Sequence, residues 1–106
     1  MRRIGFLNKR QKGSFGEKVA IEYLEKKGYK ILEKNFLTPL GEIDIIAKKG
    51  DSLCFIEVKY RKNLNYGSPL LAVDNRKINR LKKVVEFYCL KEKIKDTPLR
   101  IEVIGL

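Results

Sequence analysis

The sequence predicts one α/β domain, a four-stranded mixed sheet packed with two helices. Two observations carry that expectation. Apolar periodicity along the chain runs helix, strand, strand, strand, helix, strand. The 106 residues, 43% of them hydrophobic, suffice for one core and are too few for two domains.

Taken in order, residues 1 to 12 read as a basic N-terminal arm and 13 to 106 as the domain. Ser14 is placed to cap the first helix, with Glu17 three residues on at the spacing of a capping box. Phe15, Val19, Ala20, Tyr23 and Leu24 form its apolar stripe, and Gly28 supplies the stop. Gly16 falls inside the stripe, where glycine weakens a helix by ~1 kcal/mol relative to alanine, so close approach of another backbone is expected there. Strands are predicted from Tyr29 to Phe36, Glu42 to Lys48 and Leu53 to Tyr60, the last two joined at Gly50-Asp51-Ser52 as an antiparallel hairpin. A loop from Arg61 to Pro69 leads to Asp74, the cap of a second helix running to about Glu92. Its stripe is Ile78, Leu81, Val84, Val85, Tyr88 and Cys89. Pro98 introduces a final strand, Leu99 to Ile104.

Composition narrows the chemistry. With no histidine, Ser/His/Asp and Cys/His triads and histidine-containing zinc sites are excluded. Cys54 and Cys89 cannot fill a structural zinc site by themselves and read as reduced, buried thiols of a cytoplasmic protein. No apolar run approaches the ~18 residues needed to cross a bilayer, so no membrane association is expected. The net charge of +11 points to a polyanionic partner, and its distribution sharpens the point. Residues 1–12 carry +5 and residues 61–83 carry +6, whereas 13–60 and 84–106 are neutral. Two concentrated blocks suit a surface that follows a phosphate backbone. In the second block, Arg61, Lys62, Arg76, Lys77, Arg80 and Lys83 are candidate nucleic-acid contacts, with DNA the first candidate and RNA still open. Arg76, Arg80 and Lys83 share a helix face expected to grip phosphates away from the chemistry. Tyr66 either stacks on a base or packs.

Two strands interrupt their apolar pattern with charge. In Gly41-Glu42-Ile43-Asp44-Ile45-Ile46, alternation places Ile43 and Ile45 on one face and Asp44 on the other. In Phe55-Ile56-Glu57-Val58-Lys59, Glu57 and Lys59 share a face. If the hairpin pairs these strands, both acids converge near its open end. Burying two carboxylates is costly unless positive charge neutralises them, and a divalent cation with a lysine meets that need. Mg2+ or Mn2+ prefers hard oxygen donors, which Asp44, Glu57 and the Val58 carbonyl can supply. Lys59 would then stand beside a metal-bound water or the attacked phosphate. Lys77 lies inside the apolar stripe of the second helix, where a lysine either reaches a substrate phosphate, pairs with one of the acids, or snorkels to solvent.

Asp44 followed by Glu57-Val58-Lys59, in this order of elements, resembles the restriction-endonuclease-like αβββαβ core with its D-x(n)-E-x-K signature. Within it, the string Gly13-Ser14-Phe15-Gly16-Glu17, Ala20, Tyr23-Leu24, Gly28-Tyr29, Asn35, Gly41 to Ile46, Phe55 to Lys59, Arg61, Tyr66-Gly67, Pro69, Ala72-Val73 and Lys77 resembles the YraN-type family. The nearest relatives of that pattern are archaeal Holliday-junction resolvases. The resemblance implies a metal-dependent endonuclease acting on DNA, including branched or junction DNA, and a homodimer for symmetric cutting. It implies Asp44 and Glu57 as metal ligands and Lys59 as the catalytic lysine. Glu17 resembles a helix-borne acid that holds a metal-bound water or a second metal, beside its capping-box reading. Glu102 stands where relatives are expected to carry aspartate. Against the enzyme stand a non-catalytic nucleic-acid-binding module on the same framework and a basic protein that docks an acidic partner.

Overall fold

Helix α1 (15–26) ends where Gly28 turns to a φ of 93°, a conformation L side chains rarely adopt. The reversal lets the Tyr29 N–H donate to the Leu24 carbonyl and the Gly28 N–H to the Glu25 carbonyl, each at 3.0 Å. Those two bonds satisfy carbonyls that a helix end otherwise leaves orphaned. The computed structural model describes residues 15–59 and 75–106. The expectations for the arm at 1–12, the Ser14 and Asp74 caps, and Arg61, Lys62 and Tyr66 concern residues outside that range.

Three strands follow, β1 (Lys30–Thr38), β2 (Gly41–Lys49) and β3 (Ser52–Lys59), then helix α2 (Asn75–Lys91) and strand β4 (Leu99–Gly105). The sheet order is β1-β2-β3-β4. β1 and β3 both pair antiparallel with β2, and β4 joins β3 in parallel, so the sheet is mixed. Thr38 closes the first hairpin by accepting the Leu40 and Gly41 N–H groups on Oγ1, each at 3.0 Å. Gly50, with φ 58°, turns the second between Lys49 and Ser52. α2 ends on a turn like that of α1, with Lys93 at φ 55° and the Ile94 N–H on the Cys89 carbonyl at 2.8 Å.

The helices cover opposite faces. On one face Phe36, Ile43, Ile46, Leu53 and Phe55 pack with Leu81, Val84, Val85 and Tyr88 of α2. Tyr88 presents its ring edge-on to Phe36 and Phe55, with centroids 5.2 and 5.7 Å away. On the other face Ile45, Ala47, Cys54 and Ile56 pack with Ala20 and Leu24 of α1. Both cysteines are free thiols, Cys54 buried and Cys89 half-buried. Among the described residues no helix is long and apolar enough to cross a membrane.

Two expectations fail. α1 buries Gly16, Ala20 and Leu24, a ridge of mostly small residues at four-residue spacing, while Phe15, Val19 and Tyr23 face solvent. Small side chains seat a helix close to its sheet, and the neighbouring row, rotated by about 100° per residue, is left outside. Ile43 and Ile45 do not share a face: Ile43 belongs to the α2-side core and Ile45 to the α1-side core. The alternation breaks between them, opposite Asn35 of β1, whose φ is 52°, and where the β2–β3 pairing stops.

Candidate active site

That break positions the site. Backbone pairing between β2 and β3 runs from Lys49 and Ser52 to Ile45 and Ile56. Beyond it the Val58 N–H donates to Asp44 Oδ2 at 2.8 Å, so a carboxylate takes the place of a ladder carbonyl. β3 keeps its alternation past this fork. Glu57 and Lys59 therefore stand on the α2 side with Leu53 and Phe55.

The two acids meet there. Glu57, 6% exposed, is the one charged residue that is buried among those described. Its carboxyl lies within hydrogen-bonding reach of the Asp44 carboxyl. Burial foremost, and then the Glu57 charge, push Asp44 up to about 7 against the opposing effect of the Val58 bond. α2 supplies the countercharge: Lys77 Nζ is 2.7 Å from Glu57 Oε2. Burial works against the Lys77 charge, but Glu57 outweighs it and the ammonium is held above its ordinary range. Lys59 moves the other way, lowered first by the adjoining Lys77 ammonium and then by burial.

A cleft of about 370 Å³ opens over these groups, and Glu42, Asp44, Glu57, Lys59, Lys77 and Arg80 line it. Val58 lines it as well. Among the described lining residues, acids and cations are equal in number. Gly41 lets α2 come close, because a Cβ there would meet Arg80 Cδ at 3.3 Å and Val84 Cγ2 at 3.4 Å.

The structure thus brings together Asp44, Glu57, Val58, Lys59 and Lys77. It corrects the expectation for Arg80, which lines the cleft because it sits one turn beyond Lys77 on α2; Arg76 and Lys83 are exposed outside that lining. Glu17 is not in the lining: Asn35 Nδ2 donates to its Oε1 at 2.9 Å, tying α1 to the kinked residue of β1. Among the described residues no three acidic or cysteine side chains gather as a metal-binding group; the carboxylates that could together hold a cation are the pair Asp44 and Glu57. Sequence reasoning missed Glu42 and gave Asn35 no role, although asparagine tolerates a positive φ better than most residues and its place opposite Asp44 was a signal.

A second, half-buried carboxylate serves the scaffold. Glu102 on β4 accepts from Tyr29 Oη at 3.0 Å and pairs with Arg100 Nη2 at 2.8 Å. Its register partner is Ile56, which places it on the α1 side of the sheet.

Residues 16–106 match the sequence pattern of the uncharacterised protein family UPF0102. Similar chains include a UPF0102 protein of Thermodesulfovibrio yellowstonii, 52% identical over 89% of this chain and 83% of its own length. A UPF0102 protein of Clostridioides difficile is 47% identical over 92% of this chain and 86% of its own. One from Dictyoglomus thermophilum is 46% identical over 94% and 85%.

Proposed function

The chain belongs to the UPF0102 family, and we propose that its cleft is the active site of a Mg2+- or Mn2+-dependent endonuclease that hydrolyses phosphodiester bonds in DNA on a restriction-endonuclease-like framework. One observation carries the reading: two carboxylates from different strands, Asp44 and Glu57, meet at the fork of β2 and β3 with Lys59 in the same cleft.

The residues fit a hard divalent cation. A carboxyl pushed up to about 7 by burial and by a second acid holds a proton that a divalent cation can replace, and oxygen donors are what such a cation takes. Asp44, Glu57 and the Val58 carbonyl would hold it. When bound, it would supply a water of lowered pKa and draw charge from the phosphate.

The chain's own part is positioning and charge. The Val58 N–H fixes one oxygen of Asp44 and so orients the carboxylate. Lys59, lowered by its neighbour, presents an ammonium that can order the water or meet charge developing on phosphorus. Arg80 brings a guanidinium to the same cleft, suited to phosphate oxygens. The resolvase resemblance makes branched DNA the first substrate to test and a homodimer the assembly that would cut it symmetrically.

The experiment is nicking of labelled junctions, duplexes and single-stranded RNA in Mg2+, Mn2+ or EDTA, with Glu57→Gln beside the wild type. Metal-dependent cleavage lost in the variant, with binding retained, supports the reading. Cleavage by Glu57→Gln at the wild-type rate refutes the role of Glu57. The Lys77–Glu57 ion pair favours a second reading, a binding module whose acids are neutralised internally. It predicts salt-sensitive binding and no cleavage in any metal.

A further inference from the structure

Among the described residues that line the cleft, formal charges balance without a metal. Glu42, Asp44 and Glu57 face Lys59, Lys77 and Arg80, and the innermost contact is the 2.7 Å ion pair of Lys77 with Glu57. Glu57 is buried and Lys77 is about a quarter exposed. The lysine therefore reaches in from α2 along a path open to solvent at its outer end. An ammonium at that distance competes for the Glu57 charge with any divalent cation that Glu57 would share with Asp44. Keeping both cations would crowd Lys59, Lys77 and the metal around two carboxylates in a partly dry site, where like charges repel strongly.

We propose that Lys77 is an exchangeable resident cation of this site, bound to Glu57 in the metal-free protein and displaced by the divalent ion to become a contact for the substrate phosphate. The proposal rests on the metal reading above and adds its order of events. Metal entry replaces the Lys77–Glu57 ion pair and turns the ammonium from Glu57 toward the mouth of the cleft, which Arg80 also lines. A phosphate arriving there meets two cations of α2 instead of one. Metal and nucleic acid therefore strengthen each other's binding, and by linkage the coupling is reciprocal. The motion required is a side-chain rotation of a long, flexible lysine, with no movement of the sheet.

The test reads metal occupancy, not cleavage. Mn2+ binding is measured by titration calorimetry or electron paramagnetic resonance on the wild type, Lys77→Met, Lys59→Met and Glu57→Gln, each shown to melt cooperatively. Removing the competitor is expected to tighten Mn2+ about five- to tenfold in Lys77→Met, the scale of one partly exposed ion pair. Lys59→Met removes a nearby charge but not the pair and is expected to tighten it less. Equal tightening by both variants would overturn displacement, since the general field would then set the affinity. Equal Mn2+ affinity in wild type and Lys77→Met, abolished by Glu57→Gln, would also overturn the inference and leave the metal site standing. No Mn2+ uptake by wild type or Lys77→Met would remove the metal reading and this inference together. A measurement on the unmutated protein guards against a misfolded variant. Acetylation of Lys77, followed by mass spectrometry against exposed Lys82, is expected to quicken severalfold when Mn2+ is added. An unchanged Lys77 rate under saturating Mn2+ would overturn the exchange.

Discussion

Glu57 and Glu102 are carboxylates of adjacent strands on opposite faces of the same sheet, and their surroundings differ in kind. Glu102 is one acid served by a phenol and a guanidinium, Tyr29 and Arg100, with no second acid shown against it among the described residues. Glu57 shares its cleft with Asp44 and Glu42, and the lysine that neutralises it stands beside another lysine. The first arrangement gives the carboxylate a hydrogen bond and an ion pair from the scaffold itself. The second sets like charges against one another on both sides of the ledger, which folding alone does not require. That contrast sets a carboxylate that holds strands together against one whose surroundings suit the binding role proposed for it.

The largest expected effect breaks the crowded side. Glu57→Gln or Asp44→Asn should lower metal-dependent cleavage by at least about 10³-fold, because each removes one of the two carboxylate donors at the reacting phosphate. Nicking assays at saturating Mn2+ measure it. The same substitution at Glu102 should leave the rate within about twofold, so a large loss there would erase the distinction between the two sites.

The next effect is on stability and carries a sign. Asp44 stands at about 7 in the folded protein against an ordinary 3.8, so the fold binds that proton more tightly than the unfolded chain does. Its contribution is fully present below about pH 4 and is lost as pH rises through 7, lowering the metal-free protein's stability by about 2 to 4 kcal/mol by pH 8. Asp44→Asn should flatten this slope in urea melts taken from pH 4.5 to 8. Mn2+ should restore stability at pH 8 far more than at pH 5, since only the ionised carboxylate binds it. A wild-type slope identical to that of Asp44→Asn would mean that burial and Glu57 do not act on Asp44 as the geometry indicates.

Much of this was legible in the residues. Element order, the hairpin turn at Gly50 and the stop at Gly28 follow from periodicity and from glycine's freedom at positive φ. The meeting of Asp44 with Glu57 followed from spacing and from the cost of burying acid. What strict alternation could not show is the fork itself: the pattern of β2 breaks opposite Asn35, which is at positive φ, with Ile43 on the α2 side and Asp44 bonded to Val58. The apolar row Phe15, Val19 and Tyr23 misled for a different reason. Hydrophobicity marks residues that can be buried, whereas the small residues Gly16 and Ala20 decide which row of a helix fits closest. Glu17, at the spacing of a capping box and by resemblance a helix-borne site acid, is held by a neighbour unforeseen from α1 alone, Asn35.

The smallest effect sharpens the quiet side. Tyr29→Phe removes one hydrogen bond to Glu102 and should cost about 1 kcal/mol in a urea melt. Glu102→Gln keeps an acceptor for Tyr29 but gives up the ion pair with half-exposed Arg100, for about 0.5 to 1 kcal/mol. The two effects should be less than additive in the double variant, because both act on one carboxylate. None of the three variants should alter Mn2+ affinity. β3 lies between the sites, with Ile56 beside Glu102 in register and Glu57 next along the strand on the opposite face. A shift in metal binding on Glu102→Gln would therefore show that strain passes through β3, and that the carboxylate on the α1 side also sets the geometry of the cleft.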